Sequence, residues 1–324
     1  MFKYLSAAGL IALAAAPAAN AAQDGGAMFS GTFSFGYSSS SDVLGSTLPP
    51  GADINAFYLG MASDVVFSPR FELGFDVEAI MGEASSGGTT VDVDILRLGI
   101  EPRINLSNDL YAGFYYHLHD LDVGIAPLPI TFGVDLVSYG VFGGYDNGNW
   151  YAELFYGMSD TDPGLPAGVD LTDYGLRAGY QVSPSFDIFG SWAVTNVDTP
   201  GGSADLSVVA IGAEYAFQNG IGVYGTASML NLSLPGPTDP DATQLALGVT
   251  YDLQNSGATM PIILNAQVAH TEFSAGAISD DHTTFGVGVT VPIGGGSTSP
   301  LNASTRGARG DYRVAISNTL FGLF

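Results

Sequence analysis

From residue 27 onward the chain places apolar side chains at every second position, over and over, and that period belongs to the β-strand. Phe29, Phe33, Phe35 and Tyr37 alternate with Ser30, Thr32, Ser34 and Gly36, so an extended backbone puts the aromatics on one face and small polar groups on the other. The same period returns in Phe71, Leu73, Phe75 and Val77 against Glu72, Gly74, Asp76 and Glu78, where three carboxylates share a face. Leu110, Ala112, Phe114, Tyr116 and Leu118 oppose Tyr111, Gly113, Tyr115, His117 and His119; Leu245, Leu247, Val249 and Tyr251 oppose Gln244, Ala246, Gly248 and Thr250. Phe285, Val287, Val289, Val291 and Ile293 end the series. In all, 14 such segments start near residues 27, 53, 71, 91, 110, 134, 149, 170, 186, 204, 221, 241, 261 and 281. Each runs for about 10 to 15 residues, the length of a tilted membrane strand with its overhang.

The connections alternate too. Every second one is a tight polar turn: Ser68-Pro69-Arg70, Ser107-Asn108-Asp109, Asp146-Asn147-Gly148-Asn149, Ser183-Pro184-Ser185, Gln218-Asn219-Gly220 and Asn255-Ser256-Gly257. These are turn formers through fixed φ, tolerated positive φ and side-chain capping. The intervening connections (39–52, 83–90, 121–133, 160–169, 198–204, 233–241, 274–281) are longer and rich in Asp, Gly, Pro or Ser. A soluble sheet turns its apolar face inward, but a barrel of this many strands encloses far more space than those side chains fill. Turning the apolar band to lipid and the polar face to a watery lumen removes the difficulty, and closure leaves no backbone edge. The expected fold is all-β, a transmembrane antiparallel up-and-down barrel of about 14 strands (range 12–16), with short periplasmic turns and longer extracellular loops. Phe67, Phe71, Tyr145, Trp150, Phe186, Phe217 and Tyr251, near the turn-side strand ends, suit an interfacial girdle.

The N-terminus agrees with export. Lys3 supplies a positive start, Leu5–Ala16 an apolar stretch too short to span a bilayer, and Ala19-Asn20-Ala21 a small-residue cleavage site. Residues 1–21 are therefore expected to be a signal peptide, 22–294 the transmembrane barrel, and 295–324 a Gly/Ser linker with a basic C-terminal tail. Lys3 is the only lysine, so the exported chain has seven arginines against 32 acids. That balance excludes nucleic acid as a partner, because phosphate binding needs a cationic surface. Since 46% of residues are hydrophobic and only 12% charged, the acidity does not belong to a disordered tail. With no cysteine, disulfides and thiolate metal sites are both out of reach.

On these features residues 27–294 resemble the Gram-negative outer-membrane barrels, and among them the general porins of the alphaproteobacterial kind. The resemblance rests on architecture, acidity and Gly-aromatic texture. It implies a passive channel, and in porins the third loop folds inward to constrict the pore; the corresponding stretch here is Leu121–Gly133, with Val123, Ile125, Leu128, Ile130 and Phe132, an ordinary surface loop being the alternative. The chain departs from the pattern in strand number, since general porins have about 16. It departs again at the end, where Arg306, Arg309 and Arg313 follow the Gly294–Ser299 linker. That tail is either a late closing strand near Tyr312–Phe324 or a basic extension, mobile or docked in the lumen; an even strand count favours the extension.

Alternation places Asp64, Glu72, Asp76, Glu78, Glu101, Glu153, Asp187 and Glu214 inward, with Arg97, Arg103 and Arg177 as the main wall cations. An acidic wall prefers cations or neutral solutes in a confined aqueous path. The alternative is that these acids hydrate the lumen and pair with the arginines. His117 and His119 beside Asp120 could offer two imidazoles to a metal, but with no third ligand in sight a polar patch is the better reading. Acid pairs such as Asp160/Asp162, Asp239/Asp241 and Asp280/Asp281 lack a full cation-loop pattern. No Gly-x-Ser-x-Gly elbow or recognisable triad occurs, so no catalytic residue, metal or cofactor is assigned. The sequence thus supports a porin-like channel for small hydrophilic solutes, embedded in outer-membrane lipid and lipopolysaccharide, with a homo-oligomer allowed. A non-conducting structural or adhesive barrel that holds lipopolysaccharide, peptidoglycan or a protein is the alternative.

Overall fold

A computed structural model of the chain describes residues 28–41, 53–86, 89–126, 130–234, 239–276 and 278–322. The expected leader, 1–21, lies outside the described residues, as do 42–52 of the first long connection. The first seven strands are β1 (Met28–Ser41), β2 (Asp53–Ser68), β3 (Phe71–Ser86), β4 (Thr89–Asn105), β5 (Leu110–Ala126), β6 (Ile130–Asp146) and β7 (Trp150–Asp162). The rest are β8 (Asp170–Ser183), β9 (Phe186–Thr199), β10 (Gly202–Ala216), β11 (Ile221–Ser233), β12 (Asp241–Asp252), β13 (Ile263–Ala275) and β14 (Ile278–Ile293). Each pairs with its sequence neighbours and β1 pairs with β14, antiparallel throughout, which closes an up-and-down barrel. At the closing seam Phe35 lies opposite Val289 and Tyr37 opposite Val287, so the alternation seen in sequence is continuous around the wall.

Exposure identifies the two faces, because the lipid-facing side of the wall is the accessible one. Leu245 and Leu247 are 57% and 58% exposed, while Ala246 between them is fully buried. The same alternation holds on β5, where Leu110, Phe114 and Tyr116 are exposed and Tyr111, Tyr115, His117 and His119 are buried. Turn-side aromatics gather as a girdle: Phe67 and Phe71 at 5.6 Å, Tyr145 stacked on Trp150 at 4.5 Å, Tyr215 against Phe217 at 4.7 Å. The turns follow their chemistry. In Asp146-Asn147-Gly148-Asn149, Gly148 takes φ +82° while the Asp146 carboxylate accepts from the Gly148 N–H at 2.8 Å.

At the opposite end much of the sequence expected in loops is paired strand. Glu83 faces Asp92 and Ser86 faces Thr89; Val123 faces Phe132 and Ile125 faces Ile130. Three strands reach 17 residues, more than the bilayer requires, and project as hairpins beyond it. The third connection accordingly does not fold inward among the described residues: its alternating β-branched and aromatic side chains make cross-strand pairs, and the ladder satisfies backbone groups that an inward loop would leave open. Beyond β14 come two short helices, α1 (Ala303–Arg309) and α2 (Ala315–Gly322). Both pack against inward-facing wall, α1 on β8–β11 and α2 on β9 and β10, so the tail lies inside the barrel and adds no closing strand over residues 312–322.

Candidate functional site

The tail turns into the lumen immediately after β14. Gly294 and Gly295 take φ +60° and +87°, and a Cβ on Gly296 would run into the Gly31 carbonyl, so this glycine run is what lets the chain double back over the strand end. Thr32 then donates to the Ser297 carbonyl at 2.7 Å. Asn302 caps α1 by accepting from the Thr305 N–H at 3.0 Å and donates to the Tyr224 hydroxyl at 2.9 Å, which fixes the helix start to the wall. At the far end Gly310 takes φ +75° to stop α1; a side chain there would meet Cβ of Arg177 at 2.7 Å. The carbonyl of Gly307 accepts from Ser191 at 2.6 Å.

Three tail arginines meet the acids of the wall. Arg313 forks onto Glu101, Nε to Oε1 at 2.9 Å and Nη2 to Oε2 at 2.6 Å, and its Nη1 binds Glu153. Arg306 spans two acids of β3, Nη1 to Glu78 at 3.0 Å and Nη2 to Asp76 at 3.2 Å. Arg309 reaches Glu214 at 2.9 Å, with its guanidinium 4.3 Å from the Phe189 ring centre. Wall arginines close the network: Arg97 binds Asp76 and donates to the Asp311 carbonyl at 2.9 Å, while Arg177 holds Glu153 at 3.0 Å. Tyr312 donates to Glu78 at 2.8 Å; its burial, together with that carboxylate, pushes the phenol up and keeps it a donor. Arg306 and Arg313 are 2% and 1% exposed, so each charge relies on its partners rather than on water.

The other residues singled out by alternation lie outside this network. Arg103 stacks 3.8 Å from the Tyr111 ring centre and donates to Asn105 at 3.2 Å. Asp64 and Glu72 line a cavity of about 250 Å³ together with Arg103 and Arg306, and hold no ion pair among the described residues. Asp187 shares a second cavity, about 420 Å³, with Glu214, Thr298 and Arg309. Both cavities lie on the turn side of the tail. The two imidazoles are engaged by protein groups: His117 Nε2 lies 3.0 Å from Glu101, and His119 Nε2 lies 2.9 Å from the Ser317 hydroxyl. Tyr312, Asn302, Asp311 and Ser191 take part although the sequence assigned them no role in the lumen; the usable signal was the clustering of Arg306, Arg309 and Arg313 opposite an acid-rich wall.

Towards the loop side the wall changes character. Its inward positions include the aliphatic Ile54, Val93, Leu121, Leu171, Val197 and Leu206, set among polar ones such as Asp173, Gln244, Thr271 and Thr284. The tail follows suit. Val314 packs with Leu136 and Leu171, Ala315 with Ala193 and Val208, and Tyr312 with Ile80 and Ile95.

The profile of the Gram-negative porin family matches residues 108–276, more than half the chain. Among solved structures, the anion-selective porin from Comamonas acidovorans superposes with a TM-score of 0.51 at 14% identity, over 82% of this chain and 99% of that one. The CymD monoaromatic hydrocarbon channel gives a TM-score of 0.51 at 11% identity, over 83% of this chain and 88% of that one. No curated protein matches the sequence.

Proposed function

This chain belongs to the Gram-negative porin family of the outer membrane, and on that premise we propose that it is a passive channel for small hydrophilic solutes whose bore is narrowed by its own C-terminal tail and whose wall acids favour cations. The observation that carries the reading is the pair of turn-side cavities, about 250 and 420 Å³, whose acids Asp64, Glu72 and Asp187 remain without ion pairs among the described residues. In a confined aqueous path such charges draw cations in and hold anions out. The wall acids farther in are matched by Arg306 and Arg313, so the selectivity assigned to the eleven wall residues falls mainly on those three acids. The reading is non-catalytic, places the barrel among lipid and lipopolysaccharide, and includes removal of residues 1–21 on export, which the N-terminal mass of the mature protein checks.

Refolded protein in a planar bilayer tests it. Small ohmic steps with a cation-side reversal potential in a salt gradient are expected; anion selectivity sinks the charge argument. A second reading is favoured by the packed midsection, where Val314 and Ala315 are fully buried: a closed barrel with a structural or adhesive role, alone or as a homo-oligomer. Persistent silence from well-inserted barrels selects it.

A further inference from the structure

The turn-side cavity of about 250 Å³ carries charges of both signs, and the ion network does not use them all. Six carboxylates and four guanidinia line it. Arg97, Arg177 and Arg306 are taken up by Asp76, Glu153 and Asp311, and Glu101 by Arg313 of the tail. Asp64, Glu72 and Arg103 are left, and none of the three forms an ion pair among the described residues. Glu72 and Arg103 lie directly opposite each other in the register of β3 and β4, yet the guanidinium is engaged elsewhere: it stacks on Tyr111 and donates its Nε–H to Asn105. Both of its Nη groups are thereby left without a protein acceptor, on a side chain that lines the cavity. Asp64 is exposed and Glu72 and Arg103 are half-buried, so all three are open to water. Neutral hydrogen-bonding groups are scarce. Apart from Ala62, Gly74, Phe75 and Phe142 the lining adds only Ser63, whose hydroxyl already donates to the Phe75 carbonyl at 3.5 Å.

We propose that this cavity binds an α-amino acid with a cationic side chain, of the size of lysine: the Arg103 Nη groups take the α-carboxylate, Glu72 the α-ammonium beside it, and Asp64 the side-chain cation. The inference deepens the channel reading and rests on it only for how the solute arrives. Charge supports the class, since two unpaired acids and one unpaired arginine are complemented by two cations and one carboxylate. A lone anion meets two open carboxylates, and a sugar finds one hydroxyl already in use. Spacing agrees. Glu72 and Arg103 stand on adjacent strands, about 5 Å apart, which suits the neighbouring ammonium and carboxylate of an α-amino acid. Asp64, opposite Gly74, is a diagonal neighbour of Glu72 at about 7–8 Å, which suits a cation farther along the same molecule. Gly74 leaves bare backbone beside both acids for the hydrocarbon chain. Size fits as well: about 150 Å³ already takes the six carbons of benzene, and this cavity is larger by about two thirds.

Equilibrium dialysis of radiolabelled L-lysine against the full-length protein in phosphatidylcholine nanodiscs, with empty nanodiscs as the control, tests the site without requiring current. Saturable one-site binding is expected. Norleucine, which lacks the side-chain amine, and lysinamide, which lacks the carboxylate, should each compete about tenfold less well than lysine, the low end for a hydrogen bond to a charged group. Asp64→Asn removes the advantage over norleucine and keeps that over lysinamide; Arg103→Met does the reverse, with Arg103→Gln in its place if the first variant does not insert. A merely structural effect would move both advantages together. Uptake that matches empty nanodiscs, or equal competition by lysine and norleucine in the wild type, overturns the site. An advantage over lysinamide that survives Arg103→Met overturns the role given to that arginine. The channel reading fails separately: selective lysine binding by barrels that stay silent in a planar bilayer upholds the site and sinks the channel, and ohmic steps without lysine binding do the opposite.

Discussion

The turn-side and loop-side halves of the lumen are built on the same fourteen strands and the same alternation, yet they hold the tail by opposite means. On the turn side the contacts are few, directional and charged: Arg313 forked onto Glu101, Arg306 across Asp76 and Glu78, Arg309 on Glu214. On the loop side apolar packing predominates, as where Val314 meets Leu136 and Leu171, beside neutral hydrogen bonds such as that between Ser317 and His119. Directional contacts set register and orientation, because a guanidinium fork accepts a carboxylate in one plane. Apolar contacts add affinity in proportion to area and tolerate small slides. The tail is therefore aimed by its arginines and held by its apolar residues, and each contribution can be removed separately.

The largest effect comes from removing both. Deleting residues 295–324 leaves the closed barrel intact, since β1 and β14 pair without the tail, and vacates the lumen midsection. Single-channel conductance should rise several-fold, with cation preference increasing as Glu78, Glu101 and Glu153 lose their counter-charges. If conductance does not change, the tail is not what narrows the path.

Next is Arg313→Met. Glu101 and Glu153 then sit largely buried without the cation they share, and removing one partner of a buried pair costs about 3–5 kcal/mol. Trypsin reads the consequence, because Arg306 is buried only while the tail is docked. Cleavage there should accelerate by roughly two to three orders of magnitude if opening is fast relative to cleavage. A rate near wild type would mean that the apolar half holds the tail unaided.

Leu171→Ala attacks the other half. Leu171 is 6% exposed and packs on Leu136 and Val314, so truncation should cost about 2–3 kcal/mol, towards the low end for a leucine because a neighbouring lumen lets the site relax. The same protease assay should register a smaller acceleration than in Arg313→Met, with ion selectivity unaltered. Equal acceleration would erase the distinction between the halves.

How far these halves could be read in advance depends on the range of the forces involved. Strand positions were legible because a period of two is local: starts expected at 53, 71, 110, 170, 186, 221 and 241 coincide with those of β2, β3, β5, β8, β9, β11 and β12. The inward placement of Glu78, Arg97 and Glu153 follows from the same alternation. The tail had no period to read. Its path is set by contacts such as Arg306 with Asp76, 230 residues apart, and by the Gly294–Gly296 reversal, which as sequence looks like any flexible linker. Hairpins at the loop end were hidden for the opposite reason: Gly and Asp in 83–90 and 121–133 look like loop residues, but the β-branched residues between them supply a ladder. The alternative that wall acids pair with arginines was open from composition, although the partners lay mostly in the tail.

The smallest expected effect concerns the acids that the tail leaves free. Asp64→Asn and Glu72→Gln together remove two charges from the turn-side cavity without touching any ion pair of the tail. Both lie beside water, so their influence on passing ions is screened; a charge in that setting is worth well under about 1 kcal/mol. Conductance for a monovalent cation should fall by no more than about twofold, and the reversal potential should move towards zero, while trypsin protection at Arg306 stays at the wild-type level. Raising the salt concentration should shrink the difference between variant and wild type, because screening already does part of what the substitutions do. A change in tail protection would mean that these two acids help hold the tail, and the division between aiming charges and selecting charges on the turn side would have to be redrawn.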